Sequence, residues 1–366
     1  MRVAYVIGGL PFGGVESWLF DTCHALRAAG EIEPVVVNVS GTGVRLQDYV
    51  DSGLDVRCVG SSTHDLATHR LGTAVKLRAV LRDIAPDIVH TLHFSGDYFG
   101  RLAALGLGVP VITHIRNVKR EKKWTRVAAN KLLSRATDLY LCVSRGAAET
   151  VALDHNAAGR PVRVLYNAID QAKLDVPPRD MSDMGGPGKK TLLAVGRLVA
   201  QKNFDFLLRV FAKVRQEYPA VRLVILGDGG ERERLETQVR AAGLAGAAFL
   251  PGYSKDVAAY MRAAHVLVMP SLFEGFPITH VEAMACGLPA VISEHVPSRE
   301  VCGDSALVLP LDEDRFADAL ISLLTDDARH AAMRAAALEK AGEFTLEKYL
   351  ERLTAIYRDL VAAKRR

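Results

Sequence analysis

The chain has 366 residues, 49% of them hydrophobic and 24% charged, with a formal charge of +4. A single hydrophobic core stops growing at roughly 250–300 residues, so two domains are expected and bulk disorder is excluded. The small net charge does not signal a dedicated nucleic-acid binder and leaves room for a local basic patch.

Five scattered cysteines without a C-x-x-C pair (Cys23, Cys58, Cys142, Cys286 and Cys302) argue against a disulfide framework or a zinc site. Buried thiols in a reducing cytoplasm are expected. The opening Met1–Ile7 run is interrupted too early by Gly8-Gly9 for a signal peptide, and no run of about 18 apolar residues occurs. A cytoplasmic location is therefore expected.

In chain order, strands are expected at Val3–Ile7, Pro34–Val39, Val56–Val59, Ile88–Leu92, Val109–Thr113 and Leu139–Val143, with helices at Val15–Ala29 and Thr73–Ile84. The second half repeats the pattern, with strands at Thr191–Val195, Leu223–Leu226, Ala247–Leu250, Val266–Met269, Ala290–Ile292 and Leu307–Leu309. Its helices are expected at Asn203–Tyr218, Glu231–Ala242 and Pro277–Cys286. Strands apolar on both faces and separated by helices predict parallel sheets covered on each side, hence an α/β fold. The Pro- and Gly-rich stretch 175–190 reads as a linker. The expected domains are 1–174 and 191–345, facing a cleft, followed by a long helix within 346–366.

Gly8-Gly9-Leu10-Pro11-Phe12-Gly13-Gly14 joins the first strand to a helix, where backbone N–H groups can meet an anion. It fits neither a Walker loop, which needs Lys and Ser/Thr at the positions of Gly14 and Val15, nor the G-x-G-x-x-G fingerprint. Alone, it is equally a tight turn without a ligand.

The richest segment is Glu274-Gly275-Phe276-Pro277-Ile278-Thr279-His280-Val281-Glu282 at the end of a buried strand. Glu274 is expected in the loop and Glu282 inside the helix. Eight helical residues span about 12 Å, more than the roughly 5–9.5 Å of a glycosidase pair, which favours separate roles. The amides of Ile278 and Thr279 at the helix start suit a phosphate. A second loop, Gly196-Arg197-Leu198-Val199-Ala200-Gln201-Lys202, puts Lys202 at a helix N-terminus. A cation there opposes the macrodipole at a cost of about 0.3–1 kcal/mol, which an anion held by Arg197 and Lys202 would remove.

These segments resemble the retaining glycosyltransferases of family 4, which share the GT-B fold. Glu274 and Glu282 match the family's E-x7-E motif within E-G-F-P-x4-E-A-M-A-C-G-x-P, and Gly196-Arg197-Leu198 with Lys202 is similar to its diphosphate loop. Leu226–Gly229, Leu250–Tyr253 and Leu165–Asp170 resemble further blocks, as do Gly13-Gly14 with Glu16 and Val111–His114, more loosely. The resemblance implies two Rossmann-like domains, the first (1–174) on the acceptor side and the second (191–345) binding the nucleotide sugar, and a final helix, Leu346–Ala363, that returns to the first. It implies that Arg197 and Lys202 hold the diphosphate and stabilise its departure. By the same resemblance Glu282 holds the ribose, Glu274 the hexose, Gly252-Tyr253 the base, and His114 touches the donor sugar. Gly13, Gly14, Gly275, Phe276, Ile278 and Thr279 would complete the donor site. No cofactor is implied beyond the nucleoside-diphosphate sugar as substrate. No metal is expected either, because Asp312-Glu313-Asp314 reads better as a helix cap.

The basic stretch Arg116–Arg135, with Trp124 among its cations, suits an anionic membrane surface and hence a lipid-linked saccharide acceptor in surface polysaccharide synthesis. A plain solvated face is the competing reading. A nucleotide-sugar epimerase or hydrolase on the same fold, and a non-catalytic nucleotide-sugar-binding subunit, stay open as alternatives.

Overall fold

The computed structural model describes residues 1–68, 70–118 and 123–365. The chain divides into two units: Met1–Tyr166 with the C-terminal segment from Glu347 onward, and Asn167–Leu346.

The first unit is built on seven strands: β1 Arg2–Ile7, β2 Glu33–Asn38, β3 Asp55–Cys58, β4 Ile88–Leu92, β5 Val111–Ile115, β6 Leu139–Cys142 and β7 Val162–Val164. The second has six: β8 Lys190–Val195, β9 Val221–Leu226, β10 Ala248–Gly252, β11 Val266–Met269, β12 Ala290–Ser293 and β13 Ala306–Leu309. The sheet orders are β3-β2-β1-β4-β5-β6-β7 and β10-β9-β8-β11-β12-β13, with every pairing parallel. Each order reverses once, between β1 and β4 and between β8 and β11. In an open α/β sheet, that reversal is where the loops part and a ligand can enter.

Apolar character on both faces drives this arrangement. All residues of β4, β5 and β9 are buried, as doubly covered parallel strands require. In the first unit Ala4, Val6, Val37, Leu81 and Phe99 share one core; in the second, Leu192, Phe211, Ile225, Phe316 and Leu320 do. Each fully buried Leu, Ile, Val or Phe contributes roughly 1.5–3 kcal/mol. The helix Phe204–Glu217 buries Phe204, Leu207, Leu208, Phe211 and Val214 at the 3–4-residue spacing that its sequence displays. Asp312 caps the helix Glu313–Thr325 by accepting from the Arg315 amide at 2.9 Å.

Three expectations need correction. Residues 175–190 lie inside the second unit, with Met181 and Met184 buried and their carbonyls bonded to the Arg222 guanidinium. The boundary falls instead at Tyr166/Asn167. Cys58 is exposed on the edge strand β3, while the other four cysteines are buried and all are free thiols. Strand β7 escapes the sequence pattern because it has three residues, all exposed.

The final helix, Leu346–Arg365, belongs to the first unit from Glu347 onward. Tyr349, Leu353, Ile356 and Tyr357 form its buried face. Tyr357 Oη meets Tyr5 Oη at 2.8 Å and His90 Nδ1 at 2.7 Å, while Asp359 and Lys364 pair with Arg163 and Asp138.

Candidate functional site

In the second unit the loops after β8 and β11 meet at the reversal of strand order. The Lys202 ammonium donates to Glu274 Oε1 at 2.7 Å, with 16% and 9% of the two side chains exposed. Ser271 Oγ donates to the same oxygen at 2.7 Å. Gln201 Nε2 donates to the Phe273 carbonyl at 2.9 Å, and the Leu272 amide donates back to the Gln201 carbonyl at 2.9 Å. The two loops are thus stitched together around one carboxylate. The anion expected beside Lys202 is already supplied by the protein, as Glu274.

Backbone geometry makes room for this lysine. Asn203 is left-handed (φ 56°) and turns the chain from the Lys202 loop into the helix Phe204–Glu217. Gly196 has φ 154°, and a Cβ there would sit 2.7 Å from Lys202 Cε. Only glycine lets the Lys202 stem lie across the end of β8. Arg197 is exposed, and among the described residues its guanidinium has no hydrogen-bond or ion-pair partner.

The helix Ile278–Ala285 begins after Pro277 with no side-chain cap; the His280 amide donates to the Pro277 carbonyl at 3.2 Å, while those of Ile278 and Thr279 have no partner among the described residues. The Phe276 carbonyl before it accepts from Asn167 Nδ2 at 2.9 Å. Phe276 is buried, Gly275 half-buried, and Glu282 half-buried on the second turn. Gly252 (φ 94°) ends β10 with its carbonyl accepting from the Gly227 amide at 2.9 Å, and Tyr253 beyond it is 67% exposed. His280, between the two glutamates, is fully buried; its Nδ1 meets Ser298 Oγ at 2.7 Å, and burial lowers its pKa to about 4.

The first unit contains the remaining expected residues. Gly13 is extended (φ −176°) before the helix Gly14–Ala29, and a Cβ on it would lie 2.3 Å from Glu16 Oε2. Gly14 has open space around it. The residue type at Gly13 is therefore tied to the Glu16 carboxylate, a cause that lies within the protein.

His114 is 1% exposed at the end of β5. Its Nδ1 meets His90 Nε2 at 3.0 Å, and Arg116 lies 3.4 Å from its Nε2. Trp18 packs edge-on at 5.2 Å and carries the Arg116 guanidinium on its face at 3.9 Å. Because Arg116 can only donate, His114 Nε2 accepts, so Nδ1 donates to His90, and His90 Nδ1 donates to Tyr357. Burial first, then the Arg116 charge, holds both imidazoles neutral, with His90 pulled down to about 3. This is a strand-end histidine satisfied by local bonds. The Arg116 bond is its long one, so the Nε2 edge is the part open to exchange with another donor.

Sequence reasoning missed His90, His93, Gln201, Ser271 and His280. The pair His90-Thr91-Leu92-His93 straddling a strand end was a readable signal; Gln201 and Ser271 carry none beyond neighbouring the named motifs. Among the described residues no cluster of three His, Cys, Asp or Glu could hold a metal.

In an open parallel sheet the switch point is where a ligand can enter, here between loops joined by the Lys202–Glu274 pair, and comparison with known proteins supplies the family. The description "Glycosyltransferase Family 4" matches residues 12–173 and "Glycosyl transferases group 1" matches residues 185–340. The chain belongs to these glycosyltransferases, in the GT-B architecture of two Rossmann-like domains. An Escherichia coli UDP-Gal:alpha-D-GlcNAc-diphosphoundecaprenol alpha-1,3-galactosyltransferase is 24% identical over 87% of each chain. A Campylobacter jejuni N-acetylgalactosamine-N,N'-diacetylbacillosaminyl-diphospho-undecaprenol 4-alpha-N-acetylgalactosaminyltransferase is 29% identical, and the match spans 58% of each length. Among solved structures, Anabaena HepE in complex with UDP-glucose superposes with a TM-score of 0.84 at 19% identity, over 98% of this chain and all of that one.

Proposed function

We propose that this protein transfers a hexose from a nucleoside-diphosphate sugar to a lipid-linked saccharide, with retention of configuration and without a metal. The observation that carries the reading is the Lys202–Glu274 pair at the switch point, flanked by the exposed Arg197 and by the helix at Ile278, which has no side-chain cap. Arg197 and the amides of Ile278 and Thr279 take the diphosphate. Lys202 shares itself between Glu274 and a phosphate oxygen, and Glu282 takes the ribose hydroxyls. Glu274 faces the hexose, where positive charge develops as the bond to the diphosphate breaks. Gly275 and Phe276 shape that end of the site, and Gly252 with Tyr253 meets the base. His114 contacts the sugar through its Nε2 edge, and Gly13 and Gly14 offer amides to the donor.

In this reading the acceptor oxygen attacks the anomeric carbon on the face the diphosphate leaves. The departing phosphate oxygen takes the acceptor's proton, so no protein base is needed. Fixed cations then supply the stabilisation, and removing one such contact typically costs about 2.7–4 kcal/mol. The two relatives named above are, by name, alpha-transferases acting on diphosphoundecaprenol-linked saccharides, which supports retention and a lipid-linked acceptor.

No described helix is long and apolar enough to cross a membrane. The helix Trp124–Leu133, with Trp124 79% and Leu132 74% exposed beside Lys131 and Arg135, supports peripheral attachment to an anionic cytoplasmic membrane face. Lys119, Arg120, Glu121 and Lys122 of that basic stretch lie outside the described residues.

The test is a mass-spectrometric screen of nucleotide sugars with wild-type protein and an undecaprenyl-type diphosphate saccharide, followed by NMR of the product anomer. Transfer with the donor's configuration supports the reading; an inverted product or no transfer from any donor overturns it.

A further inference from the structure

A chain of buried polar groups crosses the first unit from its final helix to His114. Its members are Tyr5 on β1, Tyr357 on the helix Leu346–Arg365, His90 on β4 and His114 on β5, all buried. Tyr5 Oη meets Tyr357 Oη at 2.8 Å, Tyr357 Oη meets His90 Nδ1 at 2.7 Å, and His90 Nε2 meets His114 Nδ1 at 3.0 Å. Packing holds the His90 ring in place, with Tyr5 at 5.0 Å and Tyr357 edge-on at 5.8 Å between ring centroids. The far edge of His114, its Nε2, ends the chain, with Arg116 at 3.4 Å.

Each of the three contacts is filled by one proton, and each member has one proton to give. The contacts are therefore coupled. If His114 carries its proton on Nδ1, it donates to His90 Nε2; His90 then donates from Nδ1 to Tyr357, and Tyr357 to Tyr5. In the reverse arrangement Tyr5 donates to Tyr357, Tyr357 to His90 Nδ1, and His90 Nε2 to His114 Nδ1. The His114 proton then sits on Nε2. Every group keeps one proton in both arrangements, because burial and the Arg116 charge hold the two imidazoles neutral. What changes is the free edge of His114, an acceptor in the first arrangement and a donor in the second.

The ends of the chain decide between them. Arg116, stacked on the Trp18 ring at 3.9 Å, can only donate and favours an accepting Nε2. At the other end, the Tyr357 hydroxyl is the acceptor that a His90 Nδ1–H needs. Without that hydroxyl the buried Nδ1–H would be orphaned, a costly state, and His90 would move its proton to Nε2.

We infer that Tyr357 is a positioning residue: acting through His90, it keeps the His114 proton on Nδ1 and leaves Nε2 to accept a hydrogen bond from a hydroxyl of the donor's sugar. The inference rests on the glycosyltransferase reading for the partner of Nε2. It gives the final helix a part in the chemistry of the first unit besides its apolar packing.

The experiment is ¹⁵N NMR of histidine-labelled full-length protein, wild type and Tyr357→Phe, beside donor kinetics and titration with nucleoside diphosphates. His114 in the wild type should carry its proton on Nδ1, and in Tyr357→Phe the Nε2–H tautomer should gain population at its expense. Loss of ring packing alone would not move that proton. The kcat/KM for the nucleotide sugar should fall about fivefold to tenfold, with affinity for nucleoside diphosphate, which lacks the hexose, unchanged. Tyr5→Phe is the second variant: it leaves Tyr357 no acceptor except His90 Nδ1, so it should shift His114 the same way. An Nε2–H tautomer in the wild type, or an unchanged tautomer in either folded variant, overturns the inference. The tautomer is read without donor, so if no nucleotide sugar is turned over the functional reading falls, and the NMR result still decides whether Tyr357 sets His114.

Discussion

The two units share one strand order and put different chemistry at the same place in it. In each, a non-glycine residue in the left-handed region stands where a switch-point loop enters a helix: His93 after β4 and Asn203 after β8. In the second unit that turn delivers Lys202 to Glu274, and the loops present charge and free amides. In the first it delivers the His93 imidazole to a cavity of hydroxyls and apolar walls. The difference teaches that the sheet fixes where the loops part, while a few loop residues fix the chemistry that lines the opening.

The comparison breaks first at Glu274. Glu274→Gln should lower kcat by about 2–4 kcal/mol of transition-state stabilisation with little change in KM, because the carboxylate faces developing positive charge. Glu282→Gln should instead raise the donor KM. Nucleoside diphosphate, lacking the hexose, should bind the first variant at least as well as the wild type and the second poorly. Steady-state kinetics with calorimetry checks both, and equal loss in the two would end the division of labour.

Acid separates the units by their buried histidines. His280 in the second unit and His90 in the first have pKa values lowered to about 4 and about 3, by burial and, for His90, by Arg116 next. The unfolded chain therefore binds more protons below the ordinary histidine value of about 6.5, so stability is full above it and is lost as pH falls toward 4. Each shift corresponds to something on the order of 3 kcal/mol. Urea unfolding at neutral pH and near pH 5 should show the loss, and His280→Gln should shrink its share of it. An unchanged pH dependence in that variant would remove His280 as its source.

Much of this was legible in the sequence. The parallel α/β plan followed from strands apolar on both faces, and the charged loops stood in two continuous segments, Gly196–Lys202 and Glu274–Glu282. What escaped is short or assembled from afar. Strand β7 is three exposed residues, and 175–190 has a linker's composition although Arg222, distant in sequence, binds its carbonyls. The first-unit cavity gathers single residues from the loops after β1, β2 and β4, so no local pattern announces it. His114 was read as a ligand contact from its motif; its bond to His90 depends on the β4–β5 pairing.

Smaller effects sharpen the contrast between the two cations. Lys202→Ala leaves the nearly buried Glu274 without its ion partner and should cost about 1–3 kcal/mol of stability, part of it offset by Ser271. Arg197→Ala removes an exposed group and should leave the melting temperature unchanged while still weakening donor binding. Thermal denaturation of the two variants side by side distinguishes them. Excess chelator should have the smallest effect of all, leaving transfer intact; loss restored by manganese or magnesium would contradict the metal-independent mechanism.

The central claim is that Arg197 on the switch-point loop of the second unit holds the donor's diphosphate. Calorimetric titration of uridine, guanosine and adenosine diphosphates into wild type, Arg197→Ala and His93→Gly tests it directly. One of the three should bind the wild type and His93→Gly equally and Arg197→Ala at least about tenfold more weakly, as loss of a charge-assisted contact implies. Unchanged affinity in Arg197→Ala, or a loss confined to His93→Gly, would contradict the account.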